Sequence, residues 1–413
     1  MKLTESTPPM PVKNKARVVK LDPTPSQAEQ LASHIGGARF CYNKLLDYAD
    51  EQYKAGNKIN LSGYGLRKIW NEYKDEWAPW WSQNSKEAYS NAALNLGRAF
   101  TDFFKKKKGH LRFKKKSLGG SYTIATGSFG ITDSHHIQIP RIGTVHVLEP
   151  LKETKVSSIV VRQKADGYYV TLIYKEEVVF KPVTGKTVGV DLGINALATL
   201  SNGEKYYHSE KLAKLERKRH RLARSVSRKK KGSANREKAK TKLARLQQKA
   251  ANLRQDALHK LTTRLVTEFD VIVIEDLNVK GMMKNHRLAR SIAEASFYEF
   301  RRQLEYKTDW YGKELVVADR WFPSTKTCSG CGNVQDMPLS RRVYECECGL
   351  VIDRDVNAAL NLCSIAESAS EILNACGETV RRGSNADVLV SMKQESHNAK
   401  PHLVNGRAQV LVV

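Results

Sequence analysis

The spacing of apolar residues changes twice in the first half of the chain. Residues 14–22 alternate between polar and apolar positions, which is typical of a strand. From residue 26 to residue 107 the apolar residues recur at helical spacing. Between residues 121 and 181 β-branched and aromatic residues prevail, and glycine-containing turns separate the runs. The pattern predicts a β unit that is interrupted by a helical insert.

A third region, from residue 187 onward, has the pattern of a sheet with helices packed on it. An apolar run at its start and a second one at Val271–Ile274 predict buried strands. Residues 211–265 predict a helical hairpin, residues 288–311 another helix, and Asn357 the start of the last helix. Strands that alternate with helices favour an α/β fold for this region.

Composition and charge narrow the range of functions. The 413 residues include 69 Lys and Arg against 43 Asp and Glu, a formal net charge of +26. A polyanion usually neutralises such a charge, so nucleic acid is the leading partner and an anionic membrane surface the second. No apolar run approaches the ~20 residues of a membrane-spanning helix, and the start of the chain lacks the apolar core of a secretory signal. We therefore expect a cytoplasmic protein of two or three domains without a membrane partner.

Much of the positive charge is concentrated in two segments. Residues 211–254 contain 18 Lys or Arg and only two acids, Glu216 and Glu237, which leaves a charge of +16. A second basic cluster covers Lys105–Lys108 and Arg112–Lys116. Such one-sided charge favours contact with a phosphate backbone, without sequence preference, over a merely solvated helix face.

Three carboxylates stand where a purely structural role is hard to find. Asp191 interrupts an apolar strand, Glu275 ends the Val271 run, and Asp355 comes just before the last predicted helix. Buried carboxylates that converge repel one another unless cations hold them. Two Mg²⁺ ions ~4 Å apart would satisfy them and support hydrolysis at phosphorus. This order of strands, acids and helices is that of RNase H-like nucleases. Alternatively, the three acids cap helices or form ion pairs. Asp276 could also take the place of Glu275, and Asp353 that of Asp355.

Four cysteines form two closely spaced pairs. Cys328 and Cys331 make the first pair, and Cys346 and Cys348 follow fourteen residues later. Four thiolates at this spacing can close a tetrahedral Zn²⁺ site with a structural role. Disulfide bonds and a redox dithiol are the competing interpretations, disfavoured by compartment and by the spacing of the second pair. The other cysteines have no partner in sequence and are expected to be ordinary residues: Cys41, Cys363 and Cys376.

The motifs around these residues resemble one family. The segments are Val188-Gly-Val-Asp-Leu-Gly-Ile, Val273-Ile-Glu-Asp-Leu-Asn, Pro323-Ser-Thr-Lys-Thr-Cys-Ser-Gly-Cys-Gly and Cys348-Gly-Leu-Val-Ile-Asp-Arg-Asp-Val-Asn-Ala-Ala-Leu-Asn. Together they are similar to TnpB, the transposon-encoded RNA-guided nucleases related to type V CRISPR effectors. The resemblance covers roughly residues 14–365. Two departures are the single spacer residue in the second cysteine pair and Leu111 in place of a frequent proline.

The resemblance implies a multidomain α+β fold. A β-barrel-like wedge domain with a helical recognition insert would precede an RNase H-like (RuvC) α/β nuclease domain with an embedded zinc-binding element. The expected segments are the wedge at 1–25 and 116–184, the recognition insert at 26–115, the RuvC domain at 185–322 and 351–379 with its basic hairpin at 211–265, the zinc-binding element at 323–350, and a mostly disordered tail at 380–413.

The resemblance also implies the activity. Such a protein binds a guide RNA derived from the transposon end, probes double-stranded target DNA beside a short motif, and cuts both strands in one RuvC site, as a monomer in a ribonucleoprotein. It places catalysis and Mg²⁺ on Asp191, Glu275 and Asp355, and zinc on the four paired cysteines. The remaining alternatives are a nuclease-inactive relative, a CRISPR-associated relative and a DNA-joining transposase.

Nucleic-acid contacts are expected in the recognition insert and the nearby wedge. Side chains of suitable chemistry are Lys86, Tyr89, Ser90, Asn91, Arg112, Lys114 and Tyr122. Packing within a helix explains Tyr89 equally well.

Overall fold

The computed structural model describes residues 11–375, apart from seven positions. These are residues 117, 118, 126, 128, 153, 154 and 339. For residues 368–375 the structure describes the backbone only. The start of the chain, Cys376 and the predicted tail at 380–413 lie outside the described residues.

The first half of the chain contains a seven-stranded antiparallel sheet. Its strands are β1 (Val12–Asp22), β2 (Gly120–Ile124), β3 (Gly130–Asp133), β4 (His136–Ile139), β5 (Gly143–Val147), β6 (Ser158–Lys164) and β7 (Gly167–Glu177), in the order β2-β6-β7-β1-β5-β4-β3. The first strand pairs with β7 along nearly its whole length. Within the described part of the chain no pairing joins β2 to β3, so the hydrogen bonds form an open sheet.

Three helices lie between β1 and β2 and share one core with the sheet. They are α1 (Pro25–Lys54), α2 (Gly63–Trp77) and α3 (Lys86–Phe104), with a short 3₁₀ turn at Trp81–Gln83. The start of α1 is fixed by a capping box, in which Thr24 and Gln27 each accept a hydrogen bond from the other's backbone N–H. A helical insert within a β unit, as predicted from the sequence, is confirmed.

A second, five-stranded sheet follows. Its strands are β8 (Thr187–Asp191), β9 (Ala198–Leu200), β10 (Lys205–Tyr206), β11 (Val271–Glu275) and β12 (Glu314–Ala318), in the order β10-β9-β8-β11-β12. The strands β8, β11 and β12 are parallel, whereas β9 and β10 continue the sheet antiparallel. The associated helices are α4 (Glu210–Arg228), α5 (Ala234–Glu268), α6 (Val279–Met282), α7 (Ala289–Ala295), α8 (Phe297–Tyr311) and α9 (Arg354–Ala375).

The two faces of the second sheet are covered by different helices. Val190 and Ile274 point to one face, where they pack with apolar residues of α5 and α8. Val273 points to the other face and packs with Leu362 of α9. Gly189 permits this packing, because a Cβ there would lie only 1.9 Å from the carbonyl oxygen of Ala359. The glycine thus lets α9 lie directly on β8.

Two helix predictions need correction. The predicted helix at 288–311 is two helices, α7 and α8, separated by Ser296 in the left-handed conformation with φ 59°. The last helix begins at Arg354, so Asp355 lies in its first turn and not before it. The predicted hairpin is confirmed, with α4 and α5 as its arms.

A small cysteine-containing element connects β12 to α9. It includes the two-stranded sheet of β13 (Val343–Glu345) and β14 (Val351–Asp353) and a core around Tyr344. Over the part of the chain that the structure describes, no helix is both long and apolar enough to cross a membrane.

Candidate active site

Asp191 and Glu275 lie at one edge of the second sheet. They end the parallel neighbours β8 and β11, which are aligned with Ile274 opposite Val190. Because side chains alternate along a strand, Asp191 shares a face with Gly189, and Glu275 shares one with Val273. This is the face that α9 covers. Both carboxylates therefore point toward the start of the last helix.

Asp355 is contributed by the first turn of α9. The Arg354 guanidinium donates to its Oδ1 from Nε at 3.2 Å and from Nη2 at 3.0 Å. The helix start is capped by Asp353, whose Oδ1 accepts from the backbone N–H of Asp355 at 3.1 Å and of Val356 at 3.2 Å. The cap fixes the turn that carries Asp355.

The three carboxylates interact electrostatically. Burial raises the pKa of Asp191 to about 8, and the negative charges of Glu275 and Asp355 add to the increase. Among the described residues, the close group of possible metal ligands is formed by the four paired cysteines and not by these three acids. A buried carboxylate beside two other acids lacks compensating positive charge, and divalent cations with oxygen ligands would supply it.

The two acids that could have replaced their neighbours have other partners. Asp276 forms ion pairs with Arg301, at 2.7 Å, and with Arg320. Asp353 caps α9 and accepts from Lys205 Nζ at 2.8 Å. Their charges are compensated by the protein, so both fit structural roles.

Ser324 is a residue of the site that the sequence did not single out. Its hydroxyl donates a hydrogen bond to Glu275 Oε1, and the residue is only 3 % exposed. Its carbonyl oxygen accepts from Asn361 Nδ2 of α9 at 2.7 Å. Ser324 therefore ties Glu275 to the segment that leads into the cysteine element. The only signal in the sequence was its place in the Pro323 motif.

The four paired cysteines converge. Cys328 Sγ lies 3.7 Å from Cys348 Sγ, and Cys331 Sγ lies 3.6 Å from Cys346 Sγ. All four sulfurs are within 4.8 Å of one another, and they are unbonded thiols. A tetrahedron with Zn–S distances of ~2.3 Å has sulfur–sulfur edges of ~3.8 Å. The donor set and its spacing therefore fit a closed zinc site.

The cysteine element is also anchored to α9. Asn357 is fully buried; it donates to the Thr327 carbonyl oxygen at 2.7 Å and accepts from the Ser329 N–H at 2.9 Å. Asn361 donates to the same Thr327 oxygen at 2.7 Å. Two asparagines of the helix that carries Asp355 thus hold the backbone beside Cys328.

A cleft of about 460 Å³ adjoins Glu275. Its lining includes Tyr298, which is largely exposed, and the cations Lys280, Arg302 and Arg320. The lining also contains Arg301 and the acid Glu305, and both Arg301 and Arg320 are paired with Asp276, so the cleft has mixed charge.

The basic hairpin exposes most of its cations. Fourteen of the 18 Lys and Arg at 211–254 are exposed. The other four are half-buried, and two of them, Arg219 and Arg254, pair with the buried Glu216, Arg254 at 3.7 Å. The pair between Glu216 and Arg254 joins α4 to α5, and the fourteen exposed cations face solvent.

The candidate nucleic-acid contacts differ in accessibility. Lys86 and Arg112 are exposed, whereas Ser90 and Asn91 are half-buried. Asn91 donates to the Thr123 carbonyl oxygen at 3.2 Å, which joins α3 to β2. Lys114 places its Nζ 3.8 Å from the centre of the Tyr42 ring.

Two tyrosines among these candidates are core residues. Tyr89 is 1 % exposed, stacks on Trp70, and donates its hydroxyl to the Trp81 carbonyl oxygen. Tyr122 is 2 % exposed. Neither side chain reaches the surface, so contact with a duplex is the wrong interpretation for both, and packing explains them.

Similarity to known sequences decides the family. The chain is 37 % identical over 386 residues to a protein of Streptomyces pristinaespiralis described as “Putative RNA-guided DNA endonuclease”, covering 91 % of this chain and 95 % of that protein. It is 32 % identical over 386 residues to InsQ of Escherichia coli K12, which has the same description, covering 88 % and 94 %. The chain belongs to the TnpB family.

Family models match three segments of this TnpB family member. Residues 171–286, which include Asp191 and Glu275, match a family described as “Probable transposase”. Residues 297–362 match the “Cas12f1-like, TNB domain”, which includes the four cysteines and Asp355. Residues 10–58 match a “Helix-turn-helix domain”, although the described part of this segment consists of β1 and the single helix α1.

The TnpB fold is also similar to a solved structure. The chain aligns with a protein in the cryo-EM structure of the Cas12f1-sgRNA-target DNA complex with a TM-score of 0.51 and 16 % identity, covering 82 % of this chain and 83 % of the other. The likeness confirms the expected mixed α/β multidomain architecture.

Proposed function

We propose that this TnpB family member is an RNA-guided DNA endonuclease that hydrolyses both strands of its target at Asp191, Glu275 and Asp355. The observation that carries the proposal is the arrangement of these acids: Asp191 and Glu275 end neighbouring parallel strands on the face that α9 covers, and Asp355 lies in the first turn of that helix. Burial, together with the charges of Glu275 and Asp355, also raises the pKa of Asp191. A buried carboxylate with a raised pKa, close to two other acids, is unfavourable for the stability of the fold, and such groups are common at catalytic sites.

Guidance by RNA is supported by the relatives. Two of them are described as RNA-guided DNA endonucleases, and each is matched over more than nine-tenths of its length. The exposed cations at 211–254 and 105–116 would contact the backbones of a guide RNA from the transposon end and of double-stranded target DNA. Pairing with the guide would read the sequence, with the protein acting as a monomer in a ribonucleoprotein.

The domain assignment follows from this function. The second sheet with α5, α8 and α9 would be the RuvC domain, of RNase H-like fold, with the cysteine element embedded at 323–350. The seven-stranded sheet would be the wedge, and α1 to α3 the recognition insert. Lys86, Ser90 and Asn91, at the start of α3, are the candidates that remain for reading a short motif beside the target.

The carboxylates of Asp191, Glu275 and Asp355 would hold two Mg²⁺ ions. When bound, these ions would supply the positive charge that lowers the pKa of an attacking water and stabilises the leaving oxygen. Ser324 would keep Glu275 oriented through its hydrogen bond. Arg354 would hold Asp355 in place. The expected products carry 5′-phosphate and 3′-hydroxyl ends.

The four cysteines would hold a structural zinc. Its role would be to fix the segment from Pro323 to Cys328, and through it Ser324 and the anchor points on α9.

The test is cleavage by the purified ribonucleoprotein. We would express the protein with its flanking transposon sequence, sequence the copurified RNA, and offer a plasmid library with matching target and randomised adjacent motif. Asp191→Ala should abolish cleavage and leave RNA and DNA binding near the wild-type level. The matched control Asp353→Asn removes a nearby charge but keeps a good helix cap, so it should still cut. Wild-type cleavage by Asp191→Ala would refute the assignment.

DNA joining is the second candidate, because the family matched by residues 171–286 is described as a probable transposase. A strand-transfer assay on transposon ends separates the two. Joined products that depend on Asp191 would favour a transposase, and linear products with guide-dependent ends favour the nuclease.

A further inference from the structure

A groove on the helical insert lies apart from the carboxylates. It has a volume of about 630 Å³ and is formed by one face of α1 together with Trp80 and Phe113. Ligand-binding clefts commonly have volumes of ~300–1,000 Å³. We call it the aromatic groove.

The aromatic groove presents ring surface to solvent. Trp80 is 37 % exposed and Phe113 is 50 % exposed. Phe40 supports Trp80 in an edge-to-face arrangement, with ring centres 5.3 Å apart and planes at 67°. Flat apolar faces left open in this way bind planar ligands by stacking.

Phe113 is held in position by its neighbour in the chain. The side-chain amide of Asn43 donates to the Lys114 carbonyl oxygen at 3.0 Å and accepts from the Lys114 N–H at 2.8 Å. This reciprocal pair fastens the loop to α1. The backbone next to Phe113 is therefore held in place, which lowers part of the entropic cost of binding.

Gly36 forms part of the groove lining without a packing reason to be glycine. A Cβ at Gly36 would meet only the Arg39 side chain, at 3.9 Å, whereas one at Gly37 would come within 3.0 Å of the Tyr89 ring. Glycine inside a helix is unfavourable relative to alanine. A bare backbone at this point lets a ligand approach α1 closely.

Positive charge surrounds the aromatic groove. Residues 105–116 contain eight Lys or Arg and no acid, and Phe113 belongs to this loop. Arg39 and Lys44 lie on the α1 side, where the one acid of the lining, Asp47, is 3.7 Å from Lys44 Nζ. Aromatic faces beside a cationic segment match single-stranded nucleic acid, whose bases stack and whose phosphates pair with cations.

From these features we propose that the aromatic groove binds one unpaired base of single-stranded nucleic acid, stacked against Phe113 and Trp80, with adjacent phosphates along residues 105–116. The inference rests on the proposed nucleic-acid function and names a partner for a surface outside the nuclease site. A base within a duplex cannot enter, because both of its faces are already stacked.

The test uses the full chain and short oligonucleotides that contain a central 2-aminopurine, whose fluorescence is quenched on stacking. An RNA, a DNA of the same sequence and a fully paired hairpin are the three probes, and the RNA and DNA arms identify the source of the base. Phe113→Ala and Gly36→Leu should weaken single-strand binding by roughly fivefold to a hundredfold and abolish the quenching. Phe113→Tyr should restore both, and Tyr53→Ala, which removes an aromatic 84 % exposed on α1 outside the groove, should change neither.

The proposal is overturned if Phe113→Ala and Gly36→Leu retain the affinity and quenching of the unaltered chain. It is also overturned if the paired hairpin binds as tightly and is weakened equally, since the surface would then read backbone alone. Cleavage is scored separately with Asp191→Ala. If Phe113→Ala loses the quenching but the unaltered chain does not cleave DNA, the groove proposal is supported and the nuclease proposal is contradicted. If the unaltered chain cleaves in an Asp191-dependent way but Phe113→Ala keeps the quenching, only the groove proposal is contradicted.

Discussion

Asp191 should make the metal-free protein less stable as the pH rises. Its pKa is 3.8 as an ordinary side chain and about 8 in the folded protein, because of burial and of the charges of Glu275 and Asp355. Between these values the folded chain keeps a proton that the unfolded chain has lost, so the free energy of unfolding falls by ~1.4 kcal/mol per pH unit. Replacing Asp191 by Asn removes this dependence while keeping the shape of the side chain.

The expected magnitude follows from the same values. From pH 5 to pH 8 the unaltered protein should lose up to ~4 kcal/mol relative to Asp191→Asn, and below pH 3.8 the two should differ little. For a domain of ~200 residues this corresponds to roughly 8–16 °C in melting temperature. Adding Mg²⁺ at pH 8 should close the gap, since cations that bind the carboxylates stabilise only the aspartate form.

Thermal melts in chelator at several pH values measure the effect. The control is Asp353→Asn. Relative to this variant, the unaltered protein should lose stability as the pH falls, and not as it rises. Although burial opposes its ionisation, Lys205 and the Val356 N–H hold the pKa of Asp353 below its usual value, so its carboxylate adds stability that is lost as the pH falls through that lowered pKa. Parallel curves for Asp191→Asn and the unaltered protein from pH 5 to pH 8 would refute the reasoning.

Three further changes probe the surroundings of the site. Ser324→Ala should lower the cleavage rate ~10- to 100-fold and raise the Mg²⁺ concentration needed for cleavage, while DNA binding stays unchanged. Thr325→Ala is the control, and equal cleavage rates for the two variants would contradict the positioning role of Ser324. Gly189→Ala should destabilise the protein by ~1–3 kcal/mol in denaturant melts, because its Cβ would press on α9, whereas Gly130→Ala, with open space, should be nearly neutral. Cys346→Ser should reduce bound zinc measured by mass spectrometry, and an unchanged metal content would exclude a four-cysteine site.

The acidic edge of the second sheet was accessible to sequence reasoning because its carboxylates interrupt apolar runs. A charge at the end of a buried strand is a strong signal, and Asp191 and Glu275 are both of this kind. The cysteine spacing was equally informative, since ligand geometry constrains it.

Other features depend on tertiary contacts that leave little trace in the pattern. Ser324 contributes one small hydroxyl, and its role arises only because the fold brings it to Glu275 at the end of β11. The break at Ser296 was missed because apolar spacing continues through it on both sides. Tyr89 and Tyr122 have the chemistry of nucleic-acid contacts, but their burial is decided by the helices packed around them. Periodicity reports which face is apolar and not which polar tip remains accessible.

Because Asp355 lies on α9, the acidic site is completed later in translation than the first sheet. The first sheet needs only the chain up to β7, whereas the acidic site needs the last described helix. Domains generally fold as units in the order in which the ribosome makes them. The first sheet and its helical insert can therefore form before the three acids are assembled, and a chain that stops before α9 would lack Asp355.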